Sequence, residues 1–316
     1  MIAVRRAGLV LGVLVALLAG CGTGTGDLRL LVPTEVGGGY DLTARTVAAA
    51  VAEQEGEPGP AVVVVPGDGG RAALARLAAE RASPDLLMVM GLGLLGSVPD
   101  DGRGPGGLPV TPVARLISEP ELVAVTAGSP YRTLADLVAA WRADPSRVVI
   151  GGVSARGGPD WLVTTQLAAA VGIPAQGVRY ASLPGDALLP ALLRGDVAVA
   201  VTGLGETAPQ VDLGTVRTLA VTSAARSPRV EAPTLREAGV DVVFENWRGL
   251  VAPPDLAPSD LDRLTALADD LRATAAWRAA VARNGWTDAP LTGAAFAAFL
   301  DAERARVRAE LAATPS

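Results

Sequence analysis

Two glycine-rich segments, residues 37–41 and 151–160, offer the clearest binding chemistry in this sequence. Each follows an apolar run typical of a buried strand, ends in Gly-Gly-x-Asp and precedes a helical pattern. Glycine lets a ligand come close to backbone N–H groups, and the helix that follows directs the positive end of its dipole toward the same place. Two such loops across a cleft would hold a carboxylate from both sides. A single loop is more often an ordinary turn, with Asp41 or Asp160 as the N-cap of its helix.

The candidate ligand-binding residues come from these loops and from the ends of two other strands. Tyr40 either closes over the ligand with its ring and hydroxyl or packs as a core aromatic. Arg156 either makes a bidentate contact with a carboxylate or is a solvated loop arginine. Glu206 either accepts a hydrogen bond from a ligand hydroxyl or caps the next helix. The candidates are Gly37, Gly38, Gly39, Tyr40, Asp41, Gly91, Gly93, Ser154, Arg156, Gly157, Gly158, Asp160, Gly203 and Glu206.

Residues 91–96, Gly-Leu-Gly-Leu-Leu-Gly, satisfy the G-x-G-x-x-G pattern of dinucleotide-binding turns. Their position argues against a dinucleotide, because this is not the first strand-to-helix turn of the chain. No convincing helix is predicted after the loop. We therefore interpret Gly91 and Gly93 as part of a loop that borders the ligand cleft.

The composition excludes several kinds of catalytic and metal site. The sequence has no His, its single Cys is Cys21, and all 27 basic residues are Arg. Without His there is no Ser/His/Asp triad, and without Lys there is no P-loop lysine or pyridoxal Schiff base. Zinc sites built from His and Cys are excluded too, which leaves only metals with oxygen ligands possible in principle. No metal and no cofactor is assigned to the predicted site. The net charge of −6 and the absence of a basic run argue against nucleic acid as a partner.

The amino terminus predicts export. Two arginines, Arg5 and Arg6, precede an apolar run over 7–19 that is too short to span a bilayer as a helix. The run ends in Leu-Ala-Gly-Cys at 18–21, which resembles the lipobox of bacterial lipoproteins. We therefore expect a signal peptide over 1–20, a lipid on Cys21 and a short tether over 21–27. The alternative is an ordinary secretory signal whose cysteine is incidental.

Alternating strand and helix patterns predict an α/β protein with parallel sheets covered by helices on both faces. A capping box is predicted at Ser259-Asp260-Leu261-Asp262. A helix follows the first glycine-rich loop, and the other predicted helices lie near 71–81, 133–143, 160–171, 185–194, 259–273, 275–283 and 293–312. Strands are predicted at 28–32, 61–65, 85–90, 122–126, 148–150, 197–202 and 217–222.

These motifs together resemble the extracytoplasmic solute receptors of tripartite tricarboxylate transporters, the Bug or TctC type. The resemblance covers nearly all of the chain after the amino-terminal segment, and it depends on the order and spacing of the motifs. Four positions depart from the family's pattern: Glu35, Val36, Arg156 and Trp161, the last standing where the family often has His. The matching segments are 32–33 with 37–41, 66–70, 129–134, 151–160, 219–223, 226–228 and 233–239.

The resemblance implies a two-domain fold of the type II periplasmic-binding-protein kind, with a ligand cleft between the domains. It places a discontinuous first domain at 28–124 and 222–316 and a second domain at 125–221. The implied function is extracytoplasmic capture of a small di- or tricarboxylate, citrate-like, without catalysis. The implied partners are the large and small membrane subunits of the transporter, with the membrane reached through the lipid anchor and the protein itself a monomer.

Two other functions stay open at the level of the sequence. An extracytoplasmic hydrolase would use a carboxylate pair, but no Asp or Glu pair is distinguished by its spacing. A ligand-sensing accessory of a membrane sensor kinase would share the binding site and differ only in its partner.

Overall fold

A computed structural model describes residues 27–56, 58–98 and 102–314 of the chain. The predicted signal peptide, Cys21 and nearly all of the tether lie outside these residues. In the described part, no helix combines the length and apolar character needed to cross a membrane. The strands are β1 (Arg29–Val32), β2 (Ala61–Val64), β3 (Leu86–Gly91), β4 (Thr111–Glu119), β5 (Glu121–Thr126), β6 (Val149–Gly152), β7 (Arg179–Ser182), β8 (Val199–Gly203), β9 (Val216–Val221), β10 (Asn246–Ala252) and β11 (Thr287–Thr292).

Helices connect these strands and make up most of the carboxyl-terminal part of the chain. They are α1 (Gly39–Glu55), α2 (Arg71–Ala79), α3 (Leu92–Ser97), α4 (Leu134–Ala143), α5 (Pro159–Ala170), α6 (Leu188–Arg194), α7 (Leu204–Asp212), α8 (Pro258–Leu271), α9 (Ala275–Asn284) and α10 (Gly293–Ala313).

The strands form two separate mixed sheets. The first has the order β11-β4-β10-β3-β1-β2 and the second the order β7-β6-β8-β5-β9. The strands joined by helical crossovers, such as β1 with β2 and β6 with β7, pair in parallel. Strand β10 pairs antiparallel with β3 and β4, and β11 pairs antiparallel with β4. In the second sheet, β5 pairs antiparallel with both of its neighbours. The expectation of purely parallel sheets was therefore wrong, because β10 and β5 run against their neighbours.

The chain passes from the first sheet to the second between β4 and β5, where only Pro120 separates the strands. Proline fits a break between sheets, because it has no N–H to donate to a ladder. The chain returns after β9 and enters the first sheet again at β10. The predicted boundary after residue 124 falls inside β5, which belongs wholly to the second sheet. The two-domain division remains a prediction, and the change of sheet favours moving its first boundary to Pro120.

The first sheet is covered by helices on both faces, as expected. Along β1, Leu30 and Leu31 are fully buried but belong to two different apolar clusters, because successive side chains of a strand point to opposite faces. The cluster around Leu30 contains residues of α1, α8 and α9. The cluster around Leu31 contains residues of α2, α3 and α10. The carboxyl ends of β1 and β3 are thereby held rigidly, each at the start of the helix that follows it.

Several local predictions differ from the structure. Helix α8 begins at Pro258 with Ala257 as its N-cap and without a side-chain cap, so the capping box at Ser259 was wrong. Strands β4, β7, β10 and β11 and helix α7 had no prediction. A short helix, α3, does follow Gly91, which corrects the expectation that none does.

Candidate functional site

A cavity of about 270 Å³ lies between the two sheets. The first-sheet half contributes the segment after β1, the start of α1, residues of α3, and β10. The second half contributes the segment after β6, the start of α5, the loop after β7, and α7. The cavity therefore lies where strand ends and helix starts of both halves converge, which is the usual position of ligands in α/β folds.

Half of the predicted ligand-binding residues line this cavity. The lining residues among them are Gly38, Gly39, Tyr40, Gly93, Ser154, Asp160 and Glu206. The remaining candidates lie next to the cavity or behind it: Gly37, Asp41, Gly91, Arg156, Gly157, Gly158 and Gly203. Glu35, which departs from the family's pattern, is exposed and lines the cavity.

The first glycine-rich loop is folded back by its own aspartate. Gly37 N donates to Asp41 Oδ2 at 3.0 Å, and Arg45 Nε donates to the same oxygen at 3.0 Å. The N-cap of α1 is Gly38, and it makes no side-chain cap hydrogen bond. The prediction that Asp41 is the N-cap was therefore wrong: Asp41 stands in the first turn and holds the loop that precedes it.

The second loop is built in the same way around Asp160. Val153 N and Ser154 N donate to Asp160 Oδ2 at 2.5 and 3.0 Å, while Asp160 N donates to Ser154 Oγ at 3.0 Å. Gly158 is the N-cap of α5, so the N-cap role predicted for Asp160 was also wrong. Burial raises the pKa of Asp160 to about 6, against the opposing effect of the hydrogen bonds from Ser154 and Val153. The N–H groups of residues 153 and 154 thus donate to the carboxylate of Asp160 within the chain.

Arg156 lies outside the cavity. Its Nη2 donates to the backbone carbonyls of Leu311 and Thr314 at the end of α10, and its guanidinium lies 5.4 Å from the ring centroid of Trp161. Arg156 thus connects the second glycine-rich loop to the last helix of the first-sheet half. The carboxylate contact predicted for this arginine has no support in this geometry.

The main site residue that sequence reasoning missed is Arg248 on β10. It lines the cavity although its side chain is only 5% exposed. Nη1 forms a hydrogen bond to Glu119 Oε1, and Nη2 lies 3.5 Å from Glu206 Oε1. Burial by itself lowers the pKa of the guanidinium, but the charges of Glu119 and Glu206 outweigh it and raise that pKa. A charged residue inside the apolar run 247–252 was the feature of the sequence that could have identified Arg248. It was missed because the strand that contains it was not predicted.

The guanidinium of Arg248 lies directly against the start of α1. A Cβ atom on Gly39 would stand 1.9 Å from Arg248 Nη2 and 2.5 Å from Glu206 Oε1. A side chain at residue 39 would therefore force the side chains of Arg248 and Glu206 to shift. At Gly38 the nearest atoms to such a Cβ would be 3.9 Å away, so the two adjacent glycines are under different constraints.

Two glutamates flank Pro120 behind the cavity. Glu119 Oε2 accepts a hydrogen bond from Trp286 Nε1 at 2.7 Å, which completes its pairing with Arg248. Glu121 is fully buried, and its Oε1 accepts from Asn246 Nδ2 at 3.0 Å. Burial, together with the neighbouring charges of Asp160 and Glu119, raises the pKa of Glu121 well above its ordinary value. Its neutral form is favoured accordingly.

Glu206 and Tyr40 complete the polar lining. Thr202 Oγ1 donates to Glu206 Oε2 at 3.0 Å. Burial raises the pKa of Glu206 to about 7, against the opposing effect of Arg248. The hydroxyl of Tyr40 accepts from Leu94 N at 2.9 Å, and burial raises the pKa of that hydroxyl to about 12. In the described residues, no group of three or more His, Cys, Asp or Glu side chains is placed to hold a metal ion.

The family model described as "Tripartite tricarboxylate transporter family receptor", TctC, matches residues 108–309. The chain belongs to this family. It is thus a solute-binding receptor of the TctC type, a class located outside the cytoplasm, and the suspected family is confirmed. The matched segment includes the second glycine-rich loop, both passages between the sheets, and Arg248.

Two curated relatives carry the name UPF0065. The receptor is 31% identical over 144 residues to a UPF0065 protein in the gbd 5' region of Cupriavidus necator, a match that covers 44% of the receptor and only 42% of that relative. It is 26% identical over 246 residues to a UPF0065 protein of Bordetella bronchiseptica, covering 75% of the receptor and 70% of that relative.

Solved structures of similar proteins confirm the fold class. Rpa4515 of R. palustris, solved with adipate, has a TM-score of 0.80 at 23% identity, over 91% of the receptor and 97% of that chain. MatC of Rhodopseudomonas palustris, solved with bound malate, has a TM-score of 0.76 at 21% identity, over 90% and 98%. The periplasmic binding protein BugD has a TM-score of 0.77 at 19% identity, over 91% and 97%.

Proposed function

We propose that this receptor captures a small di- or tricarboxylate by closing its two halves over the cavity and delivers it to the membrane subunits of a tripartite tricarboxylate transporter. The observation that carries the proposal is the convergence of two helix starts, Gly39 of α1 and Pro159 of α5, on one cavity from opposite halves. The positive ends of both helices favour an anionic group between them.

The size of the cavity and the ligands of similar proteins support the proposed ligand class. About 270 Å³ suits a small organic acid. Adipate and malate, which are present in the structures of Rpa4515 and MatC, are both small dicarboxylates. Citrate belongs to the same chemical class with one further carboxylate, and we include it in the proposal.

Direct contacts between the halves favour closure as the capture step. A Cβ on Gly96 of α3 would stand 1.9 Å from the carbonyl oxygen of Gly157, so the two backbones touch across the cleft. On the same side, Gln166 Nε2 of α5 donates to Glu310 Oε2 of α10 at 2.8 Å. A ligand that contacts both halves binds the closed form better than the open form, and it therefore stabilises these contacts.

A thermal-shift screen tests the ligand class. The full chain, purified in detergent, is heated with citrate, malate, adipate, acidic amino acids or neutral sugars. A ligand at about 100 times its dissociation constant adds about 2.7 kcal/mol to the free energy of unfolding. Stabilisation by carboxylates and not by sugars is expected. Stabilisation by sugars alone, or by none of these compounds, would overturn the proposal.

We also propose that the receptor is anchored to the membrane by a lipid on Cys21 after cleavage of the signal peptide. Replacing the cysteine (Cys21→Ala) removes the thiol that carries the lipid. The variant is expected in the soluble extracytoplasmic fraction and the unmodified protein in the membrane fraction. If both proteins fractionate with the membrane, the lipid anchor is wrong.

A further inference from the structure

The polar floor of the cavity carries more acidic than basic groups. Among the described residues that line the cavity, Arg248 is the one cationic side chain, whereas Glu35, Asp160 and Glu206 are acidic. Glu119 and Glu121 lie directly behind them and contribute to the same electrostatic environment. A cavity that receives only anions would be expected to show the opposite balance.

The charge of Arg248 is already neutralised within the chain. Its Nη1 forms a hydrogen bond to Glu119, whose side chain is only 1% exposed. The second oxygen of Glu119 accepts from Trp286 Nε1 at 2.7 Å, so both oxygens of this carboxylate are paired. The buried pair of Arg248 and Glu119 is neutral overall, and it leaves Glu206 and Asp160 without a full countercharge.

These two carboxylates differ in how their oxygens are used. Asp160 Oδ2 accepts from two backbone N–H groups of the second glycine-rich loop, which fixes its position. Glu206 accepts at Oε2 from Thr202, while its Oε1 stands 3.5 Å from Arg248 Nη2, beyond a good hydrogen bond. Glu206 is 14% exposed and lines the cavity. Its Oε1 is therefore the acceptor best placed for a donor on a ligand.

The cavity thus has two chemically different kinds of polar group, which lie close together because Glu206 Oε1 packs against the start of α1 at Gly39. The helix starts at Gly39 and Pro159 favour an anionic group, and Glu206 favours a cationic group. We propose that Glu206 is a specificity-determining residue that accepts the ammonium group of an amino-bearing carboxylate, of the class of the acidic amino acids. This inference rests on the proposed function and narrows it from carboxylates in general to those that also carry an amine.

Paired ligands that differ only in the amine test the inference without any mutation. L-glutamate is compared with glutarate, and L-aspartate with succinate, by calorimetric titration of the full chain in detergent. Charge-assisted hydrogen bonds are about twice as strong as neutral ones, so at least about tenfold tighter binding of the amine-bearing partner is expected. Equal or tighter binding of glutarate and succinate would overturn the inference.

The isosteric change Glu206→Gln then tests the assignment to this residue. It is expected to remove most of the preference for the amine-bearing ligands, so that the ratio of the glutarate to the L-glutamate dissociation constant falls toward one. The matched control is Glu231→Gln, an exposed glutamate outside the cavity, which should keep the preference. A preference that survives Glu206→Gln would overturn the assignment.

The pH dependence of binding supplies a further measurement. The charged groups that face Glu206 are Arg248 on β10, Glu119 on β4 and Asp160 on α5. Because the pKa of Glu206 is about 7, its ionised fraction rises between pH 6 and pH 8, and L-glutamate binding should tighten by up to about tenfold. In Glu206→Gln the affinity for L-glutamate should change little with pH. This result distinguishes the titration of Glu206 from the titration of Asp160. Tightening that persists in Glu206→Gln would contradict the inference.

The same titrations separate failure of this inference from failure of the proposed function. If succinate, glutarate or citrate bind tightly with no preference for an amine, the receptor is a carboxylate receptor and Glu206 does not select an ammonium group. If none of the carboxylates binds, with or without an amine, the proposed function fails and this inference fails with it.

Discussion

The two glycine-rich loops end in the same Gly-Gly-x-Asp, but their glycines have different roles in the site. In the first loop, Gly38 and Gly39 line the cavity, and Gly39 lies against the guanidinium of Arg248. In the second loop the equivalent residues, Gly157 and Gly158, do not line the cavity. Gly157 instead meets the backbone of Gly96 from the other half. One pair of glycines thus makes room for the polar floor, and the other allows the halves to close.

The aspartates of the two loops differ as well. Asp41 shares its Oδ2 between Gly37 N and the guanidinium of Arg45, so it has a cationic partner. Asp160 is held by backbone N–H groups and has a pKa raised to about 6 by burial. The same four-residue pattern therefore produces one carboxylate that is paired with an arginine and one whose ionisation is disfavoured by burial. The difference is partly local, because Arg45 lies one helical turn after Asp41, whereas Thr164 stands at the corresponding position after Asp160.

The change Gly39→Ala is expected to have the largest effect on binding. Its methyl group would overlap Arg248 Nη2 and Glu206 Oε1, and both side chains would have to leave their positions. Overpacking costs about 1–3 kcal/mol, so ligand affinity should fall by up to about 100-fold. Gly38→Ala is the matched control, because its methyl group would meet no atom closer than 3.9 Å. Equal losses of calorimetric affinity in the two variants would contradict the separate roles of these glycines.

The change Gly96→Ala should weaken binding without altering the lining of the cavity. The added methyl group would overlap the carbonyl of Gly157, a backbone atom that cannot turn aside as a side chain can. The closed form would be depopulated, and affinity should fall by about tenfold. Small-angle scattering with saturating ligand should show a more open molecule. Gly128→Ala, with open space around it, serves as the control, and a normal closed shape of Gly96→Ala would refute the closure contact.

The change Asp160→Asn should alter the pH dependence of stability. The pKa of Asp160 in the folded protein is raised to about 6, so the folded state binds more protons than the unfolded state between about pH 4 and pH 6. This group therefore lowers the free energy of unfolding as the pH rises through that window. In chemical denaturation, the variant should gain on the order of 1 kcal/mol relative to the wild type from pH 4 to pH 7. A constant difference between the two proteins would show that Asp160 does not titrate there.

The smallest effect is expected from Arg156→Ala. This exposed arginine contacts the carbonyls at the end of α10 and lies outside the cavity. Surface contacts of this kind contribute less than about 1 kcal/mol, so affinity should change by less than about fivefold. A tenfold or greater loss of affinity would instead support the direct carboxylate contact predicted from the sequence for this residue.

Sequence patterns predicted the elements that local periodicity determines. The first strands, the helices α1, α2, α4, α5 and α8 to α10, and the family follow from apolar runs, helical spacing and the order of the glycine-rich motifs. Predictions failed for the strands whose apolar pattern is interrupted by polar residues or proline. Strand β4 pairs with both β10 and β11, and none of the three was predicted. Their residues are partly polar or contain proline, so each becomes a strand only through its partners.

The sequence by itself determined the two loops, their glycines and the likeness to the receptor family, because these depend on residues close together in the chain. The tertiary structure decided the charge of the site. Glu119, Glu206 and Arg248 come from three distant segments, and their proximity exists only after β4 and β10 pair and the second half folds beside them. Burial then raises the pKa of Glu206, because a low-dielectric surrounding penalises charge and no local pattern reports how deeply a residue will lie.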